Sequence, residues 1–251
     1  MKNKIISVVG LTASGKTGVG IKLAKQFGGE VISVDSRQVY RGLDIGTAKV
    51  TVEEADGIPH HLIDIIDPPK ESEWKGEEGL FNVHDFQEMT GDLVREIHAR
   101  GKVPILVGGT GLYSRAFIEN YDYGKDDEKV ENFDVLQICL LPPKELLRPV
   151  IERRIAERLA HGMIEETEKL LKEGVSKAWL RSLGLDYMLN VDYLDGVYNM
   201  KEYKYWHLTK SMQFAKRQRT WFKREKNTHF LEDPKVFLSE SIRLVKEFLG
   251  E

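Results

Sequence analysis

Gly10-Leu11-Thr12-Ala13-Ser14-Gly15-Lys16-Thr17 matches the pattern G-x-x-x-x-G-K-[ST] at every fixed position. An apolar run, residues 5–9, precedes it, and a helix-like stretch, 18–27, follows. The glycines of such a loop let backbone N–H groups turn inward around an anion, and the positive end of the next helix adds attraction. Lys16 is placed to reach the outer phosphates, and the Thr17 hydroxyl to hold Mg2+ on them. A Gly-rich turn of purely structural use is the alternative; the strand–loop–helix context weighs against it. The loop predicts a gripped diphosphate or triphosphate. It does not say what is done with it.

Two further segments leave apolar runs in the same way. In Ser33-Val34-Asp35-Ser36-Arg37-Gln38-Val39-Tyr40, Asp35 follows a strand end. Open parallel sheets bind ligands beyond the carboxyl ends of their strands, so Asp35 is expected to face the loop's ligand. A carboxylate there can ligate Mg2+ indirectly or take a proton from a substrate nucleophile; a helix N-cap is the competing reading. Ser36, Arg37 and Gln38 add groups suited to a nucleobase edge. In Val107-Gly108-Gly109-Thr110-Gly111-Leu112-Tyr113, three glycines permit close approach of backbone to a ligand. Thr110 can then offer its hydroxyl to a phosphate or leaving-group oxygen. A tight turn without a ligand is the alternative.

The C-terminal part carries cations. Arg154 and Arg158 are four residues apart and would share one helix face, although Glu152 and Glu157 also allow surface ion pairs. Between 210 and 226, Lys210, Lys216, Arg217, Arg219, Lys223, Arg224 and Lys226 face a single acid, Glu225, with Trp221 and Phe222 interleaved. That mixture suits RNA backbone contact with base stacking, against a merely solvated face. His60-His61 would point to opposite sides of an extended chain, which argues against shared metal ligation.

The elements that must position these residues alternate along the chain. Strands are predicted at 5–9, 31–34, 62–66, 103–107 and 135–141, and helices at 17–27, 85–99, 144–159, 164–172 and 203–223. Short Val/Ile-rich strands between helices read as an α/β, P-loop NTPase-like fold, a mostly parallel sheet flanked by helices, with a mainly helical basic C-terminal part. One compact domain over 1–251 is expected, its α/β core from 1–118 and 133–141 and its helical part over 144–251. Residues 68–79 are polar and expected to form a mobile loop; 119–132 are acidic and expected to be a linker.

Composition sets the class. The chain has 251 residues, 41% of them hydrophobic and 31% charged, as in ordinary soluble proteins. No apolar run approaches the roughly 20 residues that cross a bilayer, and no signal peptide is read before the first strand. A cytoplasmic location is expected. The single cysteine, Cys139, lies in an apolar run and reads as a core residue. Net charge is −3, divided as −7 over residues 1–143 and +4 over 144–251, so a polyanion is expected to dock on the C-terminal side.

Taken in order, the P-loop, Ser33 to Tyr40, Asp44-Ile45-Gly46-Thr47-Ala48-Lys49, Gly57-Ile58-Pro59-His60-His61-Leu62, Gly108 to Tyr113 and Ala215-Lys216-Arg217-Gln218-Arg219-Thr220-Trp221-Phe222 resemble the tRNA dimethylallyltransferases. The matches span residues 5–224. The resemblance implies transfer of a dimethylallyl group from dimethylallyl diphosphate to N6 of the adenine at tRNA position 37, on the 3′ side of the anticodon. The P-loop, Gly10 to Thr17, would hold the diphosphate rather than hydrolyse ATP. By the same resemblance Asp35 looks like the general base, and Thr110 a contact to the bridging oxygen. Lys16, Mg2+ at Thr17, and Arg154 or Arg158 would neutralise the leaving group. Ser36, Arg37 and Gln38 look like adenine-reading residues, with Lys216, Arg217 and Trp221 on the tRNA. The implied partners are an anticodon stem-loop and the allyl donor, with no membrane; a monomer is expected.

The chain departs from that family in places. The family's helical insertion after Gly-Gly-Thr-Gly-Leu-Tyr has no room in residues 116–132, and its Gln-Arg-x-x-Arg element is absent. Leu11 replaces a proline, Met212 stands where arginine is common, and Gly184-Leu185-Asp186-Tyr187 differs from Gly-Tyr-x-Glu. A missing RNA grip leaves other classes open: prenylation of free AMP, ADP or ATP, a P-loop nucleotide or small-molecule kinase, and a non-catalytic RNA-binding relic.

Overall fold

The structure, a computed structural model, describes residues 4–76, 80–120 and 133–251. Six strands form one sheet: β1 (Lys4–Gly10), β2 (Gly29–Val34), β3 (His60–His61), β4 (Val103–Gly108), β5 (Asp134–Leu140) and β6 (Thr228–Leu231). Their spatial order is β3-β2-β4-β1-β5-β6, and every pairing is parallel. The helices are α1 (Lys16–Phe27), α2 (Val52–Ala55), α3 (Val83–Ala99), α4 (Gly111–Ile118), α5 (Lys144–Ala160), α6 (Met163–Lys172), α7 (Lys177–Ser182), α8 (Leu185–Leu194), α9 (Met200–Phe222) and α10 (Phe237–Leu249).

The central strands β1, β2 and β4 are mostly apolar because both faces are covered, with Ser7, Glu30 and Ser33 as buried polar exceptions. Successive side chains alternate between the faces. Ile5, Ile32, Val34 and Leu106 pack under Phe86 and Val94 of α3, Phe117 of α4 and Trp179 of α7. Ile6, Val8, Val31 and Ile105 pack against Val19 and Leu23 of α1 and Val245 of α10. Cys139 is fully buried in β5, and burial raises its thiol pKa to about 12, as expected of a core residue. No helix among the described residues is long and apolar enough to cross a membrane.

Register aligns the strand ends that matter. Val9 pairs with Gly108, Val34 also pairs with Gly108, and Gly10 pairs with Leu140. The segments that follow β1, β2 and β4 therefore leave the sheet side by side on its carboxyl edge.

Two expectations need correction. The strand expected at 62–66 is confined to His60–His61, because Leu62 and Asp64 adopt positive φ (59° and 56°). The apolar residues there serve a turn instead: Asp64 donates its N–H to the Gln38 carbonyl, and Ile65 and Ile66 donate theirs to Val39. The C-terminal part is mainly helical, but one strand interrupts the helical stretch expected over 144–251: β6 pairs with β5 before α10 packs on α1. Four strand residues after a basic helix carry too little pattern to announce an edge strand. The expected loop at 68–79 begins as a turn whose Glu71 N–H donates to Gly174 O, and residues 77–79 lie outside the described residues. The expected linker lies almost wholly outside them, in 121–132.

His60 and His61 make separate hydrogen-bonding contacts, as their alternation requires. His60 Nδ1 is 2.8 Å from Ile58 O, and His61 Nε2 is 2.7 Å from Glu30 Oε2. Glu30, only 3% exposed in β2, also receives Arg100 at 2.8 Å and Lys102 at 3.0 Å. Burial alone would raise its pKa; hydrogen bonds from Arg100, His61 and Lys102 outweigh that and hold it at about 2, below an ordinary 4.5. A depressed carboxylate stabilises the fold above its unfolded pKa and loses that contribution as pH falls through the folded one. Glu30→Gln should therefore be less stable than wild type in urea at neutral pH, with the gap closing between pH 4.5 and about 2. A gap independent of pH would refute this account.

Candidate active site

The P-loop is built on glycine conformations. Gly10 has φ 143°, and a Cβ there would stand 2.3 Å from the Leu140 carbonyl oxygen, so β1 can turn off only without a side chain. Ala13 (φ 61°) and Gly15 (φ 83°) continue the turn into α1. Leu11 is fully buried, and its carbonyl accepts from Lys16 Nζ at 2.6 Å. Ser14 is also buried. Lys16 opens α1 and Thr17 follows it, and the first N–H groups of any helix lack intrahelical partners. Burial, then the Arg154 charge, lowers the Lys16 pKa to about 8, with Asp35 pulling the other way.

Asp35 stands just past the end of β2 and caps the turn that follows. Its Oδ1 accepts from the backbone N–H of Arg37 (2.9 Å) and Gln38 (3.3 Å), capping a turn rather than a helix. Its Oδ2 accepts no hydrogen bond from the described residues. Gln38 is held at both ends of its amide: Oε1 accepts from Ser33 Oγ at 2.8 Å, and Nε2 donates to Thr47 O at 3.3 Å. The Ser36 N–H donates to Thr110 Oγ1 at 3.4 Å, tying the two strand ends together.

The glycines at the end of β4 and just after it line the site and are also packed closely against protein. A Cβ at Gly108 would meet Val34 O at 2.0 Å, one at Gly109 the Gln218 amide at 2.7 Å, and one at Gly111 the Trp221 indole at 2.3 Å. Gln218 of α9 was not singled out by its chemistry, yet it joins both loops. Its Oε1 accepts from Thr12 N–H at 2.7 Å and its Nε2 donates to Gly109 O at 3.1 Å. Trp221 is half-buried beside Arg115, whose guanidinium lies 4.5 Å from the ring centre and pairs with Glu225 at 2.7 Å.

Arg154 and Arg158 of α5 leave the surface acids to Arg148 and Arg153. Glu152 pairs with Arg148 and Glu157 with Arg153. Arg158 donates to Asp186 Oδ1 at 3.0 Å and to Gly46 O at 2.9 Å. No carboxylate among the described residues lies within ion-pair distance of Arg154. Burial, then Arg158, lowers its pKa. Asp186, also unforeseen, is 6% exposed and stands 4.0 Å from Arg37 and 3.1 Å from the fully buried His207 Nε2. Burial would raise its pKa, but Arg158, His207 and Arg37 together hold it well below the usual carboxylate range.

These parts surround one cavity of about 410 Å3 on the carboxyl edge. Thr12, Ala13, Lys16, Thr17, Asp35, Ser36, Arg37, Gln38, Thr110, Arg154, Arg158, Arg217 and Trp221 all line it. Gly10, Leu11, Ser14 and Gly15 shape the loop without lining it, and Lys216 is exposed away from the lining. Its charged lining counts five cations against two carboxylates, Asp35 and Asp186. Leu112, Ile151, Phe214 and Phe222 supply apolar wall. No group of three His, Cys, Asp or Glu that could hold a metal occurs among the described residues. Anion binding beside a carboxylate and an apolar wall is the chemistry this lining offers.

Comparison with known proteins agrees with that geometry. The family model for IPP transferase matches residues 38–132 and 122–225. "tRNA dimethylallyltransferase 2" of Treponema denticola is 38% identical over 90% of this chain and 94% of its own length. The "tRNA dimethylallyltransferase" of Halalkalibacterium halodurans is 32% identical, covering 100% of this chain and 98% of that relative. That alignment runs over 317 positions, more than the 251 residues here, so the relative carries stretches this chain lacks. The crystal structure of a full-length tRNA isopentenylpyrophosphate transferase from Bacillus halodurans superposes with a TM-score of 0.84 at 32% identity, covering 99% of this chain and 96% of that one. The chain belongs to the IPP transferase family.

Proposed function

We propose that the protein transfers the dimethylallyl group of dimethylallyl diphosphate to N6 of the adenine at tRNA position 37, beside the anticodon, giving N6-isopentenyladenosine and diphosphate. One observation carries the reading: phosphate loop, Thr110, Asp35 and apolar wall share a single cavity with an excess of cations. In the reaction the allylic C–O bond breaks and its electron pair leaves on the diphosphate. The N6 lone pair forms the new C–N bond, and the N6 proton passes to Asp35. Asp35 is suited to this because two backbone N–H groups fix one of its oxygens. The exocyclic amine of adenine is a weak nucleophile, and a base near it assists as charge develops.

Charge on the departing diphosphate is the larger demand. P-loop N–H groups, Lys16 and Arg154, which has no ion-pair partner among the described residues, are aimed where it develops, and Thr110 meets the bridging oxygen. Mg2+ fits as a partner of the substrate rather than a resident. Thr17 offers one hydroxyl and the described residues offer no carboxylate cluster, so phosphate oxygens and water must complete its shell. Bound that way it would neutralise phosphate charge. The adenine must leave its stack to enter, at about a few kcal/mol. Arg37, Ser36 and Gln38 are placed to read its edge, with Arg217 and Trp221 at the same cavity and Lys216 outside it. The stretches missing relative to the longer relative are read as the family's helical insertion, which leaves the basic face of α9 as the main RNA contact.

With dimethylallyl diphosphate, Mg2+ and unmodified tRNA, mass spectrometry of digested product should find N6-isopentenyladenosine. Excess AMP should not compete; modified AMP in place of modified tRNA would move the substrate to free nucleotides, and a phosphorylated product from ATP would indicate a kinase. Asp35→Asn should lower kcat by about a hundredfold or more while leaving diphosphate binding intact; full turnover would remove Asp35 as the base. Because Lys16 is protonated only below about pH 8, calorimetric affinity for diphosphate should fall as pH rises through that value. Lys16→Met should bind weakly, without that added fall; wild type and variant with parallel pH profiles would exclude Lys16.

A further inference from the structure

We infer that Glu166, on α6 outside the cavity, is a positioning residue that fixes the base-reading side of the site through the backbone of residues 44–47. Its carboxylate is filled by one loop and one side chain. Oε2 accepts from the N–H of Asp44 (2.9 Å) and Ile45 (2.6 Å), and Oε1 from the N–H of Gly46 (3.0 Å) and the Tyr187 hydroxyl (2.8 Å). Three consecutive N–H groups converging on one carboxylate form an anion nest, here occupied from within the protein. Burial, then the neighbouring Glu166, raises the Tyr187 pKa well above its ordinary value and keeps its hydroxyl a donor.

The grip reaches the cavity in one step. Gly46, Thr47 and Ala48 line it, Thr47 O receives the Gln38 amide, and Gly46 O receives Arg158. Lys49 holds the far end of the loop, with Nζ donating to Tyr40 O at 2.6 Å and to Asp44 Oδ1 at 2.8 Å. A Cβ on Gly46 would meet the Tyr187 ring at 2.6 Å, so the loop sits hard against α8. Glu166 thus sets where the Thr47 carbonyl stands, and that carbonyl sets the orientation of Gln38. The P-loop shares none of these bonds. Loss of Glu166 should act on the tRNA side of the reaction and spare the diphosphate side.

The inference rests on the proposed transfer to tRNA, and one of its tests does not. Glu166→Gln keeps the volume but replaces an acceptor oxygen with an NH2 that faces donors. It should raise KM for tRNA about tenfold with KM for dimethylallyl diphosphate within about twofold. Tyr187→Phe, which leaves the three N–H bonds in place, should change KM for tRNA by no more than about twofold, and Glu166→Asp should fall between. Hydrogen exchange reads the clamp without any activity: the amides of Asp44, Ile45 and Gly46 should exchange faster in Glu166→Gln, while those of residues 12–17 do not change. Faster exchange alongside an enzyme that modifies no tRNA would sink the functional reading and keep the clamp. Unchanged exchange, or equal loss on both substrates, would overturn the inference.

Discussion

Unbalanced positive charge at the carboxyl edge of the sheet governs the rest of this molecule. Lys16 and Arg154 line one cavity; burial and then the Arg154 charge lower the hold of Lys16 on its proton, with Asp35 opposing, and burial and then Arg158 do the same to Arg154. A lysine whose folded pKa lies below its ordinary value opposes folding while it stays charged, and that opposition ends when it loses the proton or meets an anion. An anion bound in the cavity therefore does two things at once: it fills the site and removes a repulsion built into the fold. Asp186 shows how the remaining charge is managed, since one buried carboxylate balances Arg158 and stands beside Arg37 and His207.

Parallel pairing supplies the geometry. Strands running the same way discharge their loops at the same edge, so a phosphate loop, a carboxylate and a hydroxyl far apart in sequence become neighbours. The register of β1, β2 and β4 does this without help from the C-terminal helices. Those helices wall the cavity from the other side. They form the long crossover from β5 to β6, as a parallel pair requires.

Local motifs made the first half of the site legible. The P-loop, Asp35 and Thr110 each follow a recognisable apolar strand, and position after a strand is information that a sequence carries. The glycines of residues 108–111 were visible while their reason was not, because Val34, Gln218 and Trp221 meet them across distant chain. Gln218, Asp186 and Glu166 were hidden for the same cause: each works through partners on other elements, and nothing in the local pattern names those partners. The apolar spacing of 62–66 misled because a buried turn and a strand hide the same side chains, and only two positive φ angles separate them. β6 was hidden by its brevity.

The return of the chain to the sheet through β6 and α10 has a consequence for synthesis. The P-loop, Asp35 and Thr110 are all made by residue 110, whereas Arg154 and Gln218, which ties Thr12 to Gly109, lie on the later helices α5 and α9. The edge strand and the helix that covers α1 come later still. On the ribosome the nascent protein holds its anion loop long before it holds the wall that closes over it. The cavity is therefore assembled in two stages, its sheet-edge loops first and its helical wall later, and its lining is complete only with Phe222.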